Sequence, residues 1–156
     1  MPQRTSVGSG WTSRVEGCPE PWVLRAFLSF PLSGVPEGAA VRTAELLARR
    51  RQTGIPYAVR GQLLLLEAVP WRATGGGLDP RDFDADLLEG TRTVVAASTD
   101  GEELCVDVTE AVRVFHRVRR QSADFRFRFS LEPAPPGTSD QVEDILSPVL
   151  RIVYSP

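Results

Sequence analysis

The chain has 156 residues, a formal net charge of −2 and 42% hydrophobic residues, a composition typical of one globular domain with a substantial core. The small net charge argues against electrostatic binding to nucleic acid or to a membrane surface, although all 18 basic residues are arginine. No run of about eighteen apolar residues is present to span a membrane, and no signal peptide is predicted because no hydrophobic stretch follows residues 1–5.

Short runs in which apolar and polar residues alternate predict many β-strands. The predicted strands cover residues 6–15, 23–32, 41–47, 61–69, 91–98, 103–108, 125–131 and 150–154. The 13 glycines and 13 prolines supply turns between them, as at residues 33–38. The arginine-rich segment 49–56 is predicted to be a loop.

Two helical segments are predicted. The first is a short turn within residues 78–88, with Asp79 as its N-cap and a proline directly after it. The second is an amphipathic helix at about residues 108–120, in which apolar residues recur at helical spacing. Asp107 and Glu110 have the spacing of a capping box at its start, and arginines near its end suit the negative end of the helix dipole.

These elements predict an all-β fold, a single antiparallel jelly-roll β-sandwich over residues 1–156 with one short helix. The alternation in residues 125–131 points the phenylalanines and Leu131 inward, and Arg126 and Arg128 outward. The residues predicted to share one core are Phe27, Leu46, Leu64, Val106, Phe127 and Ile152.

Five segments of the chain together resemble a known family. They are residues 25–46, 77–84, 106–112, 124–129 and 148–154. Residues 22–154 as a whole resemble the bacterial DNRLRE-type, carbohydrate-binding-module-like jelly-roll domains of secreted and surface proteins. The strand order and the Asp-Val-Thr helix start are also similar, more distantly, to the prodomain of transforming-growth-factor-β-like precursors. The resemblance implies a sandwich without catalysis, and its matched residues are mostly scaffold.

The residues themselves show no pattern typical of catalysis. His116 is the only histidine, and no Gly-x-Ser-x-Gly, spaced His pair or paired Cys motif accompanies it. We interpret His116 as a solvated residue of the predicted helix. The protein is therefore predicted not to be an enzyme and to need no cofactor.

A structural calcium site is the one metal site that the sequence suggests, because clustered carboxylates suit hard cations. Its candidate ligands are Asp79, Asp82, Asp84, Asp140, Glu143 and Asp144. The spacing does not fit an EF-hand loop, since leucine and threonine stand where glycine and glutamate are needed. A capped, solvated helical turn is the favoured interpretation of the first three residues.

Aromatic side chains in loops are the candidate sugar-binding residues, because a ring covers the apolar face of a pyranose while polar neighbours bind its hydroxyls. The candidates are Trp71 in a glycine-rich loop, Tyr57 after Pro56 and Trp22 after Pro21. The alternative for Trp71 is burial as an anchor of its loop.

Arginines are candidates to hold uronate or sulfate groups, because a guanidinium binds such anions through two parallel hydrogen bonds. The main candidates are Arg49, Arg50 and Arg51, followed by the arginines at positions 60, 117, 119 and 120. The alternative is that these charge runs are solvated surface.

Two cysteines, Cys18 and Cys105, allow either one disulfide or two free thiols, and they are too few for a metal framework.

Two functions follow from these observations and from the resemblance. The leading hypothesis is a non-enzymatic module, extracellular or at the cell surface, that binds polysaccharide or cell-surface material through loop aromatics and arginines. The competing hypothesis is a structural subunit of a surface layer, fibre or phage-like particle that packs against copies of itself.

Overall fold

The computed structural model describes residues 6–12, 22–54, 63–71, 78–95, 103–132 and 141–156. Its strands are β1 (Ser6–Thr12), β2 (Trp22–Leu24), β3 (Ala26–Pro31), β4 (Ala40–Gly54), β5 (Leu64–Ala68), β6 (Thr93–Val95), β7 (Glu103–Asp107), β8 (Ser122–Phe129) and β9 (Gln141–Ser155). The other described elements are a 3₁₀ turn, Pro80–Asp82, and one helix, α1 (Thr109–Arg117). Neither helical segment is long and apolar enough to cross a membrane.

The strands form two antiparallel sheets with a shared core. A five-stranded sheet has the order β2-β1-β9-β4-β7, and a four-stranded sheet has the order β3-β8-β5-β6. Buried residues from both sheets belong to one hydrophobic cluster between them. The predicted all-β sandwich with one short helix is confirmed, whereas its jelly-roll connectivity stays a prediction.

Two strands are much longer than predicted. The prediction ended the third strand at residue 47 and placed segment 49–56 in a loop, but β4 continues through Gly54. The last strand was predicted from residue 150, but β9 begins at Gln141. The two strands pair over most of their length through two register irregularities, one of them between Leu47 and Arg49. A β-bulge lets a strand continue where the alternation of apolar and polar residues is interrupted. The alternation in the sequence therefore did not predict the full length of these strands.

Alternate residues of both sheets point between them. Leu46, Leu64, Val106 and Phe127 are buried there, as predicted, and Ile152 packs against the same cluster while partly buried.

Two predicted inward residues lie elsewhere. Phe27 lies on the outer face of β3, because Ala26 and Leu28 on either side of it point into the core. Its ring packs edge-on against Trp71, with the ring centroids 5.8 Å apart. Leu131 is 39% exposed because it lies beyond the end of β8.

Helix α1 packs against β4 and β8. It buries Ala111, Val112 and Phe115 against them. The helix is shorter than predicted, because Val118 is its C-cap and Arg119 turns into the left-handed region with a φ of 55°.

The helix start differs from the predicted capping box. Asp107 Oδ1 accepts a hydrogen bond from the Thr109 N–H at 2.8 Å, but the Glu110 carboxylate accepts from Arg113 instead of from the backbone at the helix start. A reciprocal capping box does form at the 3₁₀ turn, where Asp79 is the N-cap as predicted.

Candidate functional site

Trp71 follows β5, and its side chain contacts β3 on the outer side of the four-stranded sheet. Its indole N–H donates to the Leu28 carbonyl at 3.2 Å, and its ring packs against Phe27. The side chain is half-buried. These contacts attach the start of the loop to β3, and the sugar-binding role of Trp71 stays a prediction.

The arginines predicted to accompany Trp71 belong to the other sheet. Arg49 and Arg51 are exposed on the outer face of β4, and Arg50 between them is only 2% exposed. The Arg51 guanidinium donates to Asp144 on β9 at 2.6 Å. Trp71 and the exposed arginines therefore lie on different sheets and do not form one surface.

The other two aromatic candidates for sugar binding are Trp22 and Tyr57. Trp22 begins β2, where its backbone is paired with Thr12 of β1. Tyr57 lies outside the described residues.

The described carboxylates of the candidate calcium site are bound to other groups of the chain. Asp79 and Asp82 form the capping box of the 3₁₀ turn. Asp84 accepts a hydrogen bond from Arg25 at 2.8 Å, and Asp144 accepts one from Arg51 at 2.6 Å. Within the described ranges, no group of three His, Cys, Asp or Glu side chains is placed to hold a metal.

The other predicted residues are two carboxylates and the two cysteines. Asp140 lies outside the described residues, and Glu143 is described only as a backbone position of β9. Cys105 is an exposed free thiol on β7, with its Sγ 3.9 Å from Glu45 Oε1. Cys18, its candidate disulfide partner, lies outside the described residues.

A cavity of about 470 Å³ opens between the end of α1 and the turn after β3, and we call it the basic groove. It is lined by Pro31, Leu32, Ser33, Val35, Glu37, His116, Arg119, Arg120 and Gln121. The turn predicted at residues 33–38 contributes to one wall of this groove. Arg119 and Arg120, which were candidates for anion binding, lie on the other wall. That the two walls meet is a result of the tertiary fold.

Hydrogen bonds join the two walls of the groove. The Leu32 N–H donates to the Gln121 carbonyl at 2.9 Å across the groove, and the Val35 N–H donates to the Leu32 carbonyl at 2.9 Å within the turn. His116 Nε2 lies 3.0 Å from the Pro36 carbonyl, and therefore links the helix to the turn. His116 is thus a partly buried residue of the groove wall, and its contact with Pro36 is exposed.

The groove combines an apolar floor with a basic rim. Leu32 is buried and Val35 packs against the core, so the floor is hydrophobic. At the rim, Arg119 forms an exposed ion pair with Glu37 at 3.1 Å. Arg120 is half-buried and has no ion-pair partner within the described part of the chain. The arrangement is suited to an anion that also carries an apolar face.

A second group of charges lies on the outer face of the four-stranded sheet, and we call it the arginine–glutamate cluster. It consists of Arg25, Glu67, Arg92, Arg126, Arg128 and Glu132. Arg25 also stacks on the Phe83 ring, with its guanidinium carbon 4.0 Å from the ring centroid. Arg126 and Arg128 point outward as predicted, but the segment around Phe83 covers this face.

The Glu67 carboxylate at the centre of this cluster is saturated by arginines. Burial by itself would raise the pKa of Glu67, but hydrogen bonds from Arg126 and Arg92 and the charges of Arg126 and Arg128 outweigh it and hold the pKa below its ordinary value. The side chain of Glu67 is fully buried. Because both of its carboxylate oxygens already accept hydrogen bonds, Glu67 has no free acceptor for a ligand.

Comparison with known proteins adds no assignment: no protein-family model matches the chain, and no curated protein matches it.

Proposed function

We propose that this protein is a non-enzymatic β-sandwich module, extracellular or at the cell surface, that binds acidic polysaccharide in the basic groove. The observation that supports the proposal is a cavity of about 470 Å³ in which an apolar floor lies beside Arg119, Arg120 and His116. A uronate or sulfated sugar carries both an anionic group and an apolar C–H face. Arginine matches carboxylate and sulfate oxygens through paired hydrogen bonds.

The conformation of Arg119 supports a role for its side chain. Its φ of 55° lies in the left-handed region, which ordinarily favours glycine at the end of a helix. For an L residue this conformation costs about 1–2 kcal/mol. An arginine at such a position fits a requirement for its guanidinium at the rim of the groove.

The test is binding of the full chain to an acidic polysaccharide, polygalacturonate or heparin, with dextran as the neutral comparison. We expect the acidic polymer to bind and its affinity to fall as salt is added, because salt screens exposed charges. Arg120→Ala should weaken binding about tenfold, the effect of losing one charge-assisted hydrogen bond. Arg120→Lys should weaken it less.

Two further variants locate the site. Arg49→Ala removes an exposed arginine on the other sheet and should leave the affinity unchanged. Trp71→Ala should also preserve binding to the groove. Loss of binding in a folded Trp71→Ala variant, with Arg120→Ala unaffected, would move the site to the Trp71 surface. Absence of binding to every acidic polymer would contradict the proposal.

An assembly subunit is the second candidate function. The observation that favours it is the exposure of Val149 and Val153 on the outer face of β9, at 55% and 51%. Exposed apolar side chains grouped on a sheet indicate a protein contact surface. A discrete particle in a sizing experiment, without polysaccharide binding, would favour this function.

A further inference from the structure

His116 is the only histidine of the chain, and it lies in the wall of the basic groove. It belongs to the last turn of α1 and is partly buried. An arginine stays protonated and a carboxylate stays ionised between about pH 5 and 8, whereas an imidazole ordinarily changes its charge in this range. Among the described residues that line the groove, His116 is therefore the one whose side chain can change its charge near neutral pH.

The contact with Pro36 determines which nitrogen of the His116 ring carries the proton. Nε2 lies 3.0 Å from the Pro36 carbonyl oxygen, and a carbonyl oxygen can only accept a hydrogen bond. Nε2 is therefore the N–H of the neutral ring, and Nδ1 carries a lone pair. Nδ1 has no hydrogen-bond partner among the described residues. The neutral ring therefore has no free N–H to donate to a sulfate or carboxylate group.

A second proton makes Nδ1 a donor and preserves the contact with Pro36. Both nitrogens of an imidazolium carry N–H groups, so Nε2 still donates to the carbonyl. The hydrogen bond between the helix and the turn is therefore present in both charge states. Protonation changes what the groove can bind while its wall keeps the same contact.

The charged groups around the His116 ring come from its own segment and from the turn after β3. They are Arg113, Arg117, Arg119, Arg120 and Glu37. Arg113 donates to the Glu110 carboxylate, and Arg119 pairs with Glu37 at 3.1 Å. Arginines and carboxylates keep their charges between about pH 5 and 8. A change of anion affinity over this range therefore reports on the His116 ring.

We propose that the imidazolium of His116 is the third cation of the basic groove and donates from Nδ1 to the anionic group of the ligand. This inference rests on the proposed function, because it needs an acidic polysaccharide in the groove. The affinity for such a polymer rises as the pH falls from about 8 to about 5, since the protonated ring adds both a charge and a donor.

The experiment is calorimetric titration of the full chain with heparin at about pH 8 and about pH 5, at one salt concentration. Heparin is the probe because its sulfate groups stay ionised at both values. We expect the wild type to bind about tenfold more tightly at the lower pH, the effect of one charge-assisted hydrogen bond.

Two substitutions at position 116 separate charge from structure. His116→Gln keeps an N–H donor for the Pro36 carbonyl without a charge, and at both pH values it should bind as weakly as the wild type does at the higher one. His116→Arg carries a permanent charge and should bind at both values as tightly as the wild type does at the lower one. The control, Arg120→Ala, should bind more weakly at both values and keep the wild-type ratio.

The outcomes distinguish this inference from the proposed function. Heparin binding of equal affinity at both pH values in the wild type would overturn the role of His116 and leave the proposed function standing. The same pH dependence in His116→Gln as in the wild type would also overturn it, because another group would then be responsible. Absence of heparin binding at either pH would overturn both proposals. Far-ultraviolet circular dichroism at each pH confirms that every variant is folded.

Discussion

Glu67 combines a negative charge with complete burial. Its side chain is fully buried, and it binds Arg126 at 2.6 Å, Arg92 at 2.7 Å and Arg128 at 3.1 Å. Removing one partner of a buried ion pair leaves the other charge without compensation in a medium of low polarity. Substitutions at the buried centre of the arginine–glutamate cluster should therefore lower the free energy of unfolding more than substitutions at its exposed rim.

We predict that Glu67→Gln lowers the free energy of unfolding by about 3–5 kcal/mol at neutral pH, because it leaves the buried guanidinium of Arg126 unpaired. The matched control is Arg92→Gln, since the Arg92 side chain is 46% exposed, and its loss should cost under about 1 kcal/mol. Urea unfolding followed by fluorescence measures both. Equal losses in the two variants would show that the buried pair does not control stability.

The depressed pKa of Glu67 also makes a prediction about acid. The folded carboxylate holds its proton less tightly than the unfolded one, so the unfolded chain binds more protons as the pH falls. The stabilisation is fully present above the unfolded pKa of about 4.3 and is lost as the pH falls through the lower, folded value. The difference in the free energy of unfolding between wild type and Glu67→Gln should therefore decrease below about pH 4.3. A gap that stays constant down to pH 3 would contradict the assignment.

At the scale of elements, two side chains fix the position of α1. Asp107 Oδ1 accepts from the Thr109 N–H and so satisfies a donor at the helix start. The Thr109 hydroxyl oxygen accepts from the Ala44 N–H at 2.9 Å and ties the helix to β4. Asp107 therefore stabilises the start of the helix, and Thr109 attaches the helix to the sheet.

We predict that Asp107→Ala costs about 0.5–2 kcal/mol, the usual effect of removing a side-chain acceptor at a helix start. Thr109→Ala should cost about 1–3 kcal/mol, because it leaves the Ala44 N–H without its acceptor. Thr109→Ser keeps the hydroxyl and serves as the control, with a smaller loss than Thr109→Ala. Thermal melts measure all three. Melts of both alanine variants that match the wild type would show that neither contact supports the helix.

At the scale of the whole molecule, Phe127 belongs to the cluster that joins the two sheets. It lies on β8, where its backbone is paired with Ala26 of β3 and Leu66 of β5. Its side chain is fully buried in the core between the sheets. Truncation there removes contacts that both sheets share.

We predict that Phe127→Ala lowers the free energy of unfolding by about 3–5 kcal/mol in one cooperative transition. Leu131→Ala is the control on the same chain segment, and it should cost under about 1 kcal/mol because Leu131 lies beyond β8 and is already 39% exposed. Denaturant unfolding gives both values. A loss below about 1 kcal/mol for Phe127→Ala would show that this ring does not hold the sheets together.

Several features could be predicted because they depend on neighbouring residues only. Strict alternation gave the inward side of Phe125, Phe127 and Phe129, and all three are buried. The Asp79 cap was predicted because a cap and its helical turn lie within a few residues. By contrast, Phe27 was assigned to the wrong face, because both phases of its strand offer apolar residues. Alternation alone does not choose between two apolar phases.

The sequence by itself determined the all-β class, most strand positions and the one helix, since these depend on local periodicity and turn residues. The tertiary structure alone decided which distant segments meet. It extended β4 through the arginines at 49–51 by pairing it with β9, and it separated those arginines from Trp71 by placing them on different sheets. It also brought the turn after β3 against Arg119 and Arg120 to form the basic groove. The physical reason is that sheet pairing and burial join residues far apart in the chain, whereas local patterns carry information only about near neighbours.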